Sequence, residues 1–473
     1  MVFSTPIFMF YFLVFTLFLY YIVPRRGRNV VLLASSLFFY WWGERAYVAI
    51  MFLSTAIDYT HGLLVERCKA RGNGKGAKMA VASSIVFNLA LLCFFKYWDF
   101  IAGSLQSVGL TFMPVLGVHL PIGISFYTFQ TMSYTIDVYR GDARAQRSIL
   151  NFGAFVTLFP QLIAGPIVKY RDVEKSMHHR RITLPDVSEG LKRFCMGLGK
   201  KVLLANNIGE LWAFVSAMDL RRISMLTAWL GIVAFGFQIY FDFSGYSDMA
   251  IGLGRMLGFR FPENFNYPYI SASVTEFWRR WHISLGSWFR EYVYFPLGGS
   301  RRGLPKQLLN ILVVWMLTGI WHGAGWNFLL WGLWFAFALM LEKLFLGRLL
   351  AWLPKGIGIL YTLLVALAGW VLFALETPAG IWSYVKAMTG TGVSLFDRQG
   401  IYLGRQYLIL FLVALVASTP LTHKLTEYLR GSRMGFHIAL YRFGEKFIPA
   451  GLLLLSIAGI VDASYNPFLY FRF

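Results

Sequence analysis

Long runs of apolar residues recur along the whole chain and alternate with short, mostly basic polar stretches. The runs at residues 6–23, 46–65 and 79–101 are each long enough to cross the hydrocarbon core of a bilayer, which takes about 20 helical residues. They are continuous and do not alternate apolar with polar positions, as the strands of a membrane barrel do. Because lipid offers the backbone no hydrogen-bond partners, these runs must be helical. The pattern predicts an all-α, polytopic integral membrane protein with about 11 to 13 membrane segments, some of them re-entrant or broken.

One apolar run is interrupted in a way that predicts a broken helix. Residues 152–168 contain Pro160 and the sequence Ala164-Gly165-Pro166, and basic stretches flank the run on both sides. Flanks of the same sign indicate a re-entrant segment, which membrane proteins tolerate only where protein or water covers it. The chain shows no linker or low-complexity tract, so the pattern favours a single membrane domain over residues 1–473.

Composition and charge support the membrane assignment and exclude other classes. Only 14% of the residues are charged, whereas about 25% is usual in soluble domains. The net charge of +21 arises from Lys and Arg in short loops between apolar runs. This is the positive-inside pattern, and it argues against nucleic-acid binding. The cysteines lack the spacing of metal ligands, so we expect free thiols and no metal site at Cys68, Cys93 and Cys195.

The sharpest candidate for chemistry is His322, in the stretch TGIWHGAGWN at residues 318–327. An ionisable residue at membrane depth is costly and usually faces a cavity or a partner. Burial favours the neutral imidazole, which can accept a proton from a reacting hydroxyl. Trp321 and Asn327 in the same stretch are candidate substrate contacts. The alternative is a structural histidine that bonds across helices.

A second candidate stretch is EFWRRWHISL at residues 276–285. Arg279 and Arg280 are suited to hold phosphate groups, Trp281 is a candidate substrate contact, and His282 could relay protons or position a substrate. The alternative is an interfacial segment in which tryptophans form an aromatic belt and arginines pair with lipid headgroups.

A third polar stretch interrupts the apolar run near residue 240. Asp242 and Tyr246 are four residues apart and share a helix face. We include both as candidate substrate contacts, although a role in helix packing is the stronger interpretation. The chain contains no GxSxG elbow, P-loop or HExxH motif, so serine hydrolysis, ATP use and zinc chemistry lack their usual signals.

Five stretches in order resemble the membrane-bound O-acyltransferase family, and within it the bacterial alginate O-acetylase branch. They are residues 120–140, 159–166, 240–252, 275–285 and 319–323. The resemblance implies many helices around a central tunnel. It also implies that His322 matches the essential histidine of the family and that His282 matches a second, more variable one.

The resemblance also implies a donor, partners and a location. The donor is acetyl-CoA on the cytoplasmic side, bound as a substrate, with no resident cofactor. The acetyl group would pass outward across the bilayer to extracytoplasmic acetyltransferase proteins, which place it on an exported polysaccharide such as alginate or cellulose. The expected location is the bacterial cytoplasmic (inner) membrane.

The C-terminal residues 466–473 carry a further hypothesis. Phe468, Tyr470 and Phe473 resemble the C-terminal motif of the small membrane protein in teichoic-acid D-alanylation, whose tyrosine is thought to carry the acyl group. We expect this tail to fold back into the tunnel, with Tyr470 accepting acetyl as a phenol ester. The alternative is an aromatic belt with Arg472 as an anchor.

Other functions remain open from the sequence. Within the family, the same chemistry serves peptidoglycan O-acetylation and D-alanyl transfer. A transporter would also explain broken helices and buried polar residues, but it should show an internal repeat with paired broken segments, which is not obvious here. A catalytically silent scaffold for an acetylation machinery is the third option.

Overall fold

The computed structural model describes residues 1–462, which form helices joined by turns and loops and contain no strand. The chain divides into two compact units. The first comprises Met1–Phe194 and Tyr246–Pro262, and the second comprises Cys195–Gly245 together with the chain from Glu263 onward. The all-α class predicted from the sequence is confirmed.

Eight helices lie wholly in the first unit. They are α1 Leu13–Ile22, α2 Arg28–Glu44, α3 Val48–Ala70, α4 Gly74–Ser107, α5 Ile124–Arg140, α6 Ile149–Thr157, α7 Phe159–Leu162 and α8 Tyr170–His178. Two further helices cross the boundary between the units along the chain, α9 Leu184–Gly199 and α11 Met225–Met256.

The second unit holds the remaining helices of the described chain. They are α10 Asn207–Ser216, α12 Val274–Arg280, α13 Ile283–Phe289, α14 Leu304–His322, α15 Trp326–Leu341, α16 Gly347–Trp352, α17 Lys355–Ala374, α18 Pro378–Met388, α19 Arg398–Gln406, α20 Leu408–Ala417, α21 Leu421–Gly431 and α22 Gly435–Asp462.

Seven stretches within residues 1–462 are helical, long and apolar enough to cross a membrane, or eight if the bent pair α19 and α20 forms one span. The 11 to 13 segments predicted include broken and re-entrant ones, which this count of spanning helices leaves out. The first stretch, Arg25–Ala70, joins α2 and α3 across a break where Arg45 has a φ of 41°. The predicted run at residues 6–23 forms a shorter helix, Ile7–Ile22, which is not among these stretches, because an apolar run alone does not separate a spanning helix from a shorter one.

The predicted break near Pro160 is present. Helices α6 and α7 are short and separated at Leu158, and residues 152–170 are buried without exception. Protein therefore covers the broken backbone of this segment, which satisfies the condition for irregular structure at membrane depth.

A buried polar network holds three helices of the first unit together. Asp58 of α3 accepts hydrogen bonds from Ser84 Oγ at 2.5 Å and Asn88 Nδ2 at 2.8 Å, both on α4. From α5, Thr135 donates to Asp58 at 3.4 Å and Thr131 donates to Asn88 at 3.3 Å. All five side chains are buried. Such bonds between helices replace the hydrophobic effect, which lipid does not supply.

The core of the second unit is built from aromatic rings. Trp278 lies edge-on to Trp315 and Phe335, with ring centroids 4.5 and 4.8 Å away. Trp281 packs on Trp370 at 4.9 Å. Large rigid rings in tilted and edge-to-face contact fix their neighbours in place. The two predicted histidines lie at the edge of this cluster.

Candidate active site

His322 is the last residue of α14, and a tight helical hairpin positions it. A Cβ atom added to Gly319 would lie 2.4 Å from the carbonyl oxygen of Phe328, and one added to Gly332 would lie 2.4 Å from that of Trp315. Only glycine permits helices α14 and α15 to approach this closely. Gly319 and Gly332 therefore serve helix packing.

The His322 ring is enclosed by aromatic side chains, and the residue is 8% exposed. Its centroid lies 4.8 Å from Trp331, 5.0 Å from Trp321 and 5.5 Å from Phe373, each in edge-to-face geometry. These contacts orient the imidazole and exclude bulk water from three sides. The sequence prediction that His322 is buried among apolar residues is thus confirmed.

His282 occupies the turn between α12 and α13 and adopts a φ of 44°. The left-handed region is uncommon for a residue with a side chain, and such strain is frequent at functional sites. The start of α12 is fixed from the end of α15, because the Glu342 carboxylate accepts from the backbone N–H of Val274 at 2.6 Å and of Thr275 at 2.9 Å. The helix that leads into the His282 turn is therefore anchored at its start.

Asn264 holds the His282 ring in one orientation. Its Oδ1 accepts from the backbone N–H of Ser284 at 3.2 Å and from the Ser284 hydroxyl at 2.9 Å, which identifies this atom as the oxygen. His282 Nδ1, 3.1 Å from the same oxygen, must then carry the proton and donate. The other ring nitrogen, Nε2, is left as the acceptor.

His282 Nε2 is buried and has no hydrogen-bond partner among the described residues. Burial lowers the pKa of His282 to about 3, so the ring is neutral at pH 7. A neutral ring with Nδ1 fixed as donor leaves Nε2 available to accept a hydrogen bond from a substrate hydroxyl.

A cavity of about 430 Å³ adjoins His282, a size typical of small-molecule sites. Its wall includes His282, Trp278, Arg279 and, from α14, Thr318. Among the described residues, His322 is not part of this wall. The Trp321 ring contacts His322 and lies 6.2 Å from the His282 ring, so the two histidines flank one tryptophan.

The arginines and tryptophan predicted beside His282 have different environments. Arg279 is exposed and lines the cavity. Arg280 forms an ion pair with Glu276 at 2.8 Å and donates to the Asn266 carbonyl at 3.1 Å, so its charge is already compensated. Trp281 is buried in the aromatic core and also lines the cavity.

Asn327, Asp242 and Tyr246 do not line this cavity. Asn327 is buried and donates to the Phe373 carbonyl at 3.4 Å. Asp242 forms a buried ion pair with Lys201 at 2.7 Å, which fits the packing role favoured above. Tyr246 belongs to the first unit, where its ring stacks on Phe3 at 4.5 Å. Tyr470 lies outside the described residues.

Sequence reasoning missed three residues of the site, Asn264, Thr318 and Glu342. Asn264 precedes His282 by 18 positions and meets it only because the intervening chain folds back. Thr318 stands four residues before His322, on the same helix, and helical spacing could have indicated it. Glu342 gave a weak signal, since a carboxylate at the end of a long apolar run needs a partner.

Comparison with known proteins identifies relatives of this chain. The sequence profile described as membrane-bound O-acyltransferase family matches residues 139–374, a range that includes both histidines. A probable alginate O-acetylase of Azotobacter vinelandii is 43% identical over 399 residues, which cover 83% of this chain and 79% of the relative. A probable alginate O-acetylase of Pseudomonas putida is 40% identical over the full length of both chains.

A relative with a different named acceptor aligns over a similar share of the chain. The peptidoglycan O-acetyltransferase of Helicobacter pylori is 32% identical over 434 residues, which cover 84% of this chain and 81% of the relative. Identities of this size over most of both chains establish common ancestry and a common fold. The chain belongs to the membrane-bound O-acyltransferase family, and it is a multi-pass membrane enzyme that transfers an acyl group.

Proposed function

We propose that this enzyme takes acetyl from acetyl-CoA at the cytoplasmic face of the inner membrane and passes it across the bilayer for O-acetylation of an exported polysaccharide. The observation that carries the proposal is the alignment over the full length with a probable alginate O-acetylase. The reaction needs a neutral base in a water-poor site. Both histidines are buried, which fits this requirement.

The transfer step requires a base for the accepting hydroxyl. In our proposal the neutral imidazole of His322 takes the hydroxyl proton while the oxygen attacks the thioester carbonyl. The new C–O bond forms, the C–S bond breaks, and the proton passes to the departing CoA sulfur. The products are an acetyl ester and the free CoA thiol, so atoms and charge balance.

His282 has a supporting role in this scheme. Its Nε2 accepts a hydrogen bond from the acceptor hydroxyl or relays the proton, because Asn264 commits the other nitrogen to donation. Trp278 lines the same cavity, and its indole N–H has no acceptor among the described residues. This N–H is a candidate donor to the oxyanion that develops on the thioester. Arg279 at the cavity wall is suited to a CoA phosphate.

The later steps carry acetyl to its final acceptor. We propose that extracytoplasmic acetyltransferase proteins receive it, and that Tyr470 carries it as a phenol ester before export. Transfer to the polymer should then fall in Tyr470→Phe while CoA release from the first turnover persists. Full transfer to the polymer in this variant would exclude the covalent relay.

A second candidate acceptor is peptidoglycan, favoured by the alignment with the peptidoglycan O-acetyltransferase. Acetate released by mild base from isolated peptidoglycan and from exopolysaccharide, in strains with and without the gene, separates the two. D-alanyl transfer is tested in the same strains by assaying alanine in place of acetate.

The direct test uses purified protein in lipid nanodiscs with radiolabelled acetyl-CoA. We expect release of the CoA thiol that disappears in His322→Ala and persists in His423→Ala, a matched change of an exposed histidine paired with Glu427. A transporter would move label without cleaving the thioester. A scaffold would show no cleavage at all, and polymer acetylation in cells would survive His322→Ala.

A further inference from the structure

Two arginines of the first unit share one aromatic ring. The guanidinium carbon of Arg28 lies 5.2 Å from the centroid of Tyr20, and that of Arg180 lies 5.8 Å from it. Arg180 also lies over Phe259 at 4.6 Å. The Tyr20 ring is fully buried, and its hydroxyl donates to the Leu257 carbonyl at 2.6 Å. The ring is therefore a rigid support for two positive charges.

Arg180 is held in position by neutral groups. Its Nη2 donates to Asn29 Oδ1. The amide of Asn29 in turn donates to Asn151 Oδ1 at 2.8 Å and to the Met177 carbonyl at 2.9 Å. These bonds orient the guanidinium without neutralising it. A structural arginine would normally be paired with a carboxylate instead.

Neither guanidinium has an anionic partner in the part of the chain that the structure describes. No carboxylate lies within ion-pair distance of Arg28 or Arg180, and Arg28 Nε and Arg180 Nη1 are buried without an acceptor. Burial lowers the pKa of Arg180; the Tyr20 hydroxyl opposes this change, and the charge of Arg28 adds to it. Two adjacent cations with buried, unsatisfied donors are costly unless an anion joins them.

Several other arginines of this unit have a carboxylate partner. Arg193 bonds Asp248 at 2.8 Å, Arg147 bonds Glu66, and Arg171 lies 3.7 Å from Asp137. Arg28 and Arg180 have no such partner among the described residues, and each has a buried nitrogen without an acceptor. These buried donors mark the pair as a site for an external anion.

The position of the pair identifies the kind of anion. Tyr20 lies in the last turn of α1, and Arg28 is the first residue of α2, a helix of 17 residues. The positive end of a helix dipole opposes a cation there and favours an anion. The apolar side chains of Phe18, Ile22 and Val30 are exposed, as expected where they face lipid. The pair thus lies near the end of an apolar helix, where we expect lipid phosphates.

We propose that Arg28 and Arg180, supported by Tyr20 and Asn29, bind a phosphate group, and that the headgroup of an anionic membrane phospholipid supplies it. Both side chains are half-buried, so part of each guanidinium stays within reach of a ligand. Planar guanidiniums match the geometry of phosphate oxygens. The site is separate from acyl transfer and does not depend on it.

The test is titration of the delipidated protein with phosphatidylglycerol, with bound lipid counted by native mass spectrometry. We expect each of Arg28→Gln and Arg180→Gln to weaken binding about fivefold, since each change removes about one hydrogen bond to the phosphate, worth about 1 kcal/mol. Arg26→Gln changes an exposed arginine of the same basic stretch and should leave this binding step unchanged. If all three variants bind phosphatidylglycerol equally, Arg28 and Arg180 do not form the proposed lipid site.

Two further measurements keep the result decisive. The double variant Arg28→Lys/Arg180→Lys retains both positive charges. It should bind the lipid more tightly than the double variant Arg28→Gln/Arg180→Gln. Equal loss in both double variants would contradict an electrostatic site. Inorganic phosphate and CoA are added as competitors. If CoA displaces the lipid and the KM for acetyl-CoA rises with Arg28→Gln, the donor and not the lipid supplies the phosphate.

Discussion

Asp58 in the first unit and His282 in the second are both buried ionisable residues, and their surroundings differ in one respect. Each carboxylate oxygen of Asp58 accepts at least one hydrogen bond from α4 or α5. His282 has one nitrogen fixed by Asn264, while the other has no partner among the described residues and the side chain adjoins a cavity.

This difference distinguishes a buried residue that holds helices together from one that can bind a substrate. A polar group whose every atom is bonded fixes one arrangement of helices, and it has nothing left to offer a substrate. A polar group that is oriented on one side and open on the other is prepared for a ligand, at a cost that the rest of the fold carries. Burial alone, which is all the sequence indicates, does not distinguish the two.

Of these two buried groups, the open one should have the larger effect on catalysis when it is removed. We expect His282→Ala to lower the rate of acetyl transfer about 100- to 10,000-fold, the usual worth of a positioned acid or base. His61→Ala is the matched control, because both ring nitrogens of His61 are bonded, to the Ile57 carbonyl at 2.7 Å and to Ser83 at 2.8 Å. Equal rates of acetyl transfer in the two variants would show that the open nitrogen of His282 has no special role in the reaction. Steady-state release of CoA measures them.

The next effect concerns a buried pair in the second unit. Lys201 Nζ lies 2.7 Å from Asp242 and 2.8 Å from Asn206 Oδ1. Lys201→Ala leaves the carboxylate without its cation and should lower the free energy of unfolding by about 3–5 kcal/mol. Lys201→Met/Asp242→Leu, which removes both charges, should cost much less. Thermal unfolding in detergent measures both, and equal destabilisation would contradict a paired role.

A smaller loss is expected in the polar network of the first unit. Asp58→Ala removes the acceptor of Ser84 and Asn88 and should lower the free energy of unfolding by about 1–3 kcal/mol. The rate per folded molecule should stay at the wild-type value, because the network serves helix packing. A loss of rate with unchanged unfolding would move Asp58 from scaffold to chemistry.

The smallest effect tests how His282 is oriented. Asn264→Ala removes the acceptor of Nδ1, and we expect the rate to fall about tenfold, equivalent to one hydrogen bond of about 1.4 kcal/mol. Asn264→Asp restores an acceptor and places a negative charge beside the ring, which raises the pKa of His282 from about 3. The basic form is lost as pH falls through that raised pKa. The rate should therefore decline at a higher pH than in the wild type, and an unchanged profile would argue against positioning.

The sequence predicted the parts of the fold that one property determines. Continuous apolar runs predicted the helical membrane class, and Pro160 with Gly165 predicted the break between α6 and α7. The run at residues 6–23 forms a helix only over Ile7–Ile22, and α20 is bent by 54° from α19, so these runs differ from straight spanning helices. Length between breaks depends on tertiary packing, which periodicity does not contain.

The candidate site was predicted where local sequence carries the signal. His322 and His282 each lie in an aromatic, apolar stretch of sequence, which indicated that both are buried. Their supporting residues could not be predicted in the same way, because Asn264 reaches His282 through a fold of the chain and not through helical spacing. Arg280 is the opposite case. Its partner Glu276 stands four residues earlier on the same helix, so helical spacing could have indicated this ion pair.

The most direct test of the central claim, that two buried imidazoles serve one transfer reaction, is the rate of CoA release from labelled acetyl-CoA in His282→Ala, His322→Ala and the double variant. Residues that act as a unit are strongly non-additive. We predict that the double variant is no slower than His322→Ala alone. Losses that multiply, or full activity in His322→Ala, would contradict the account.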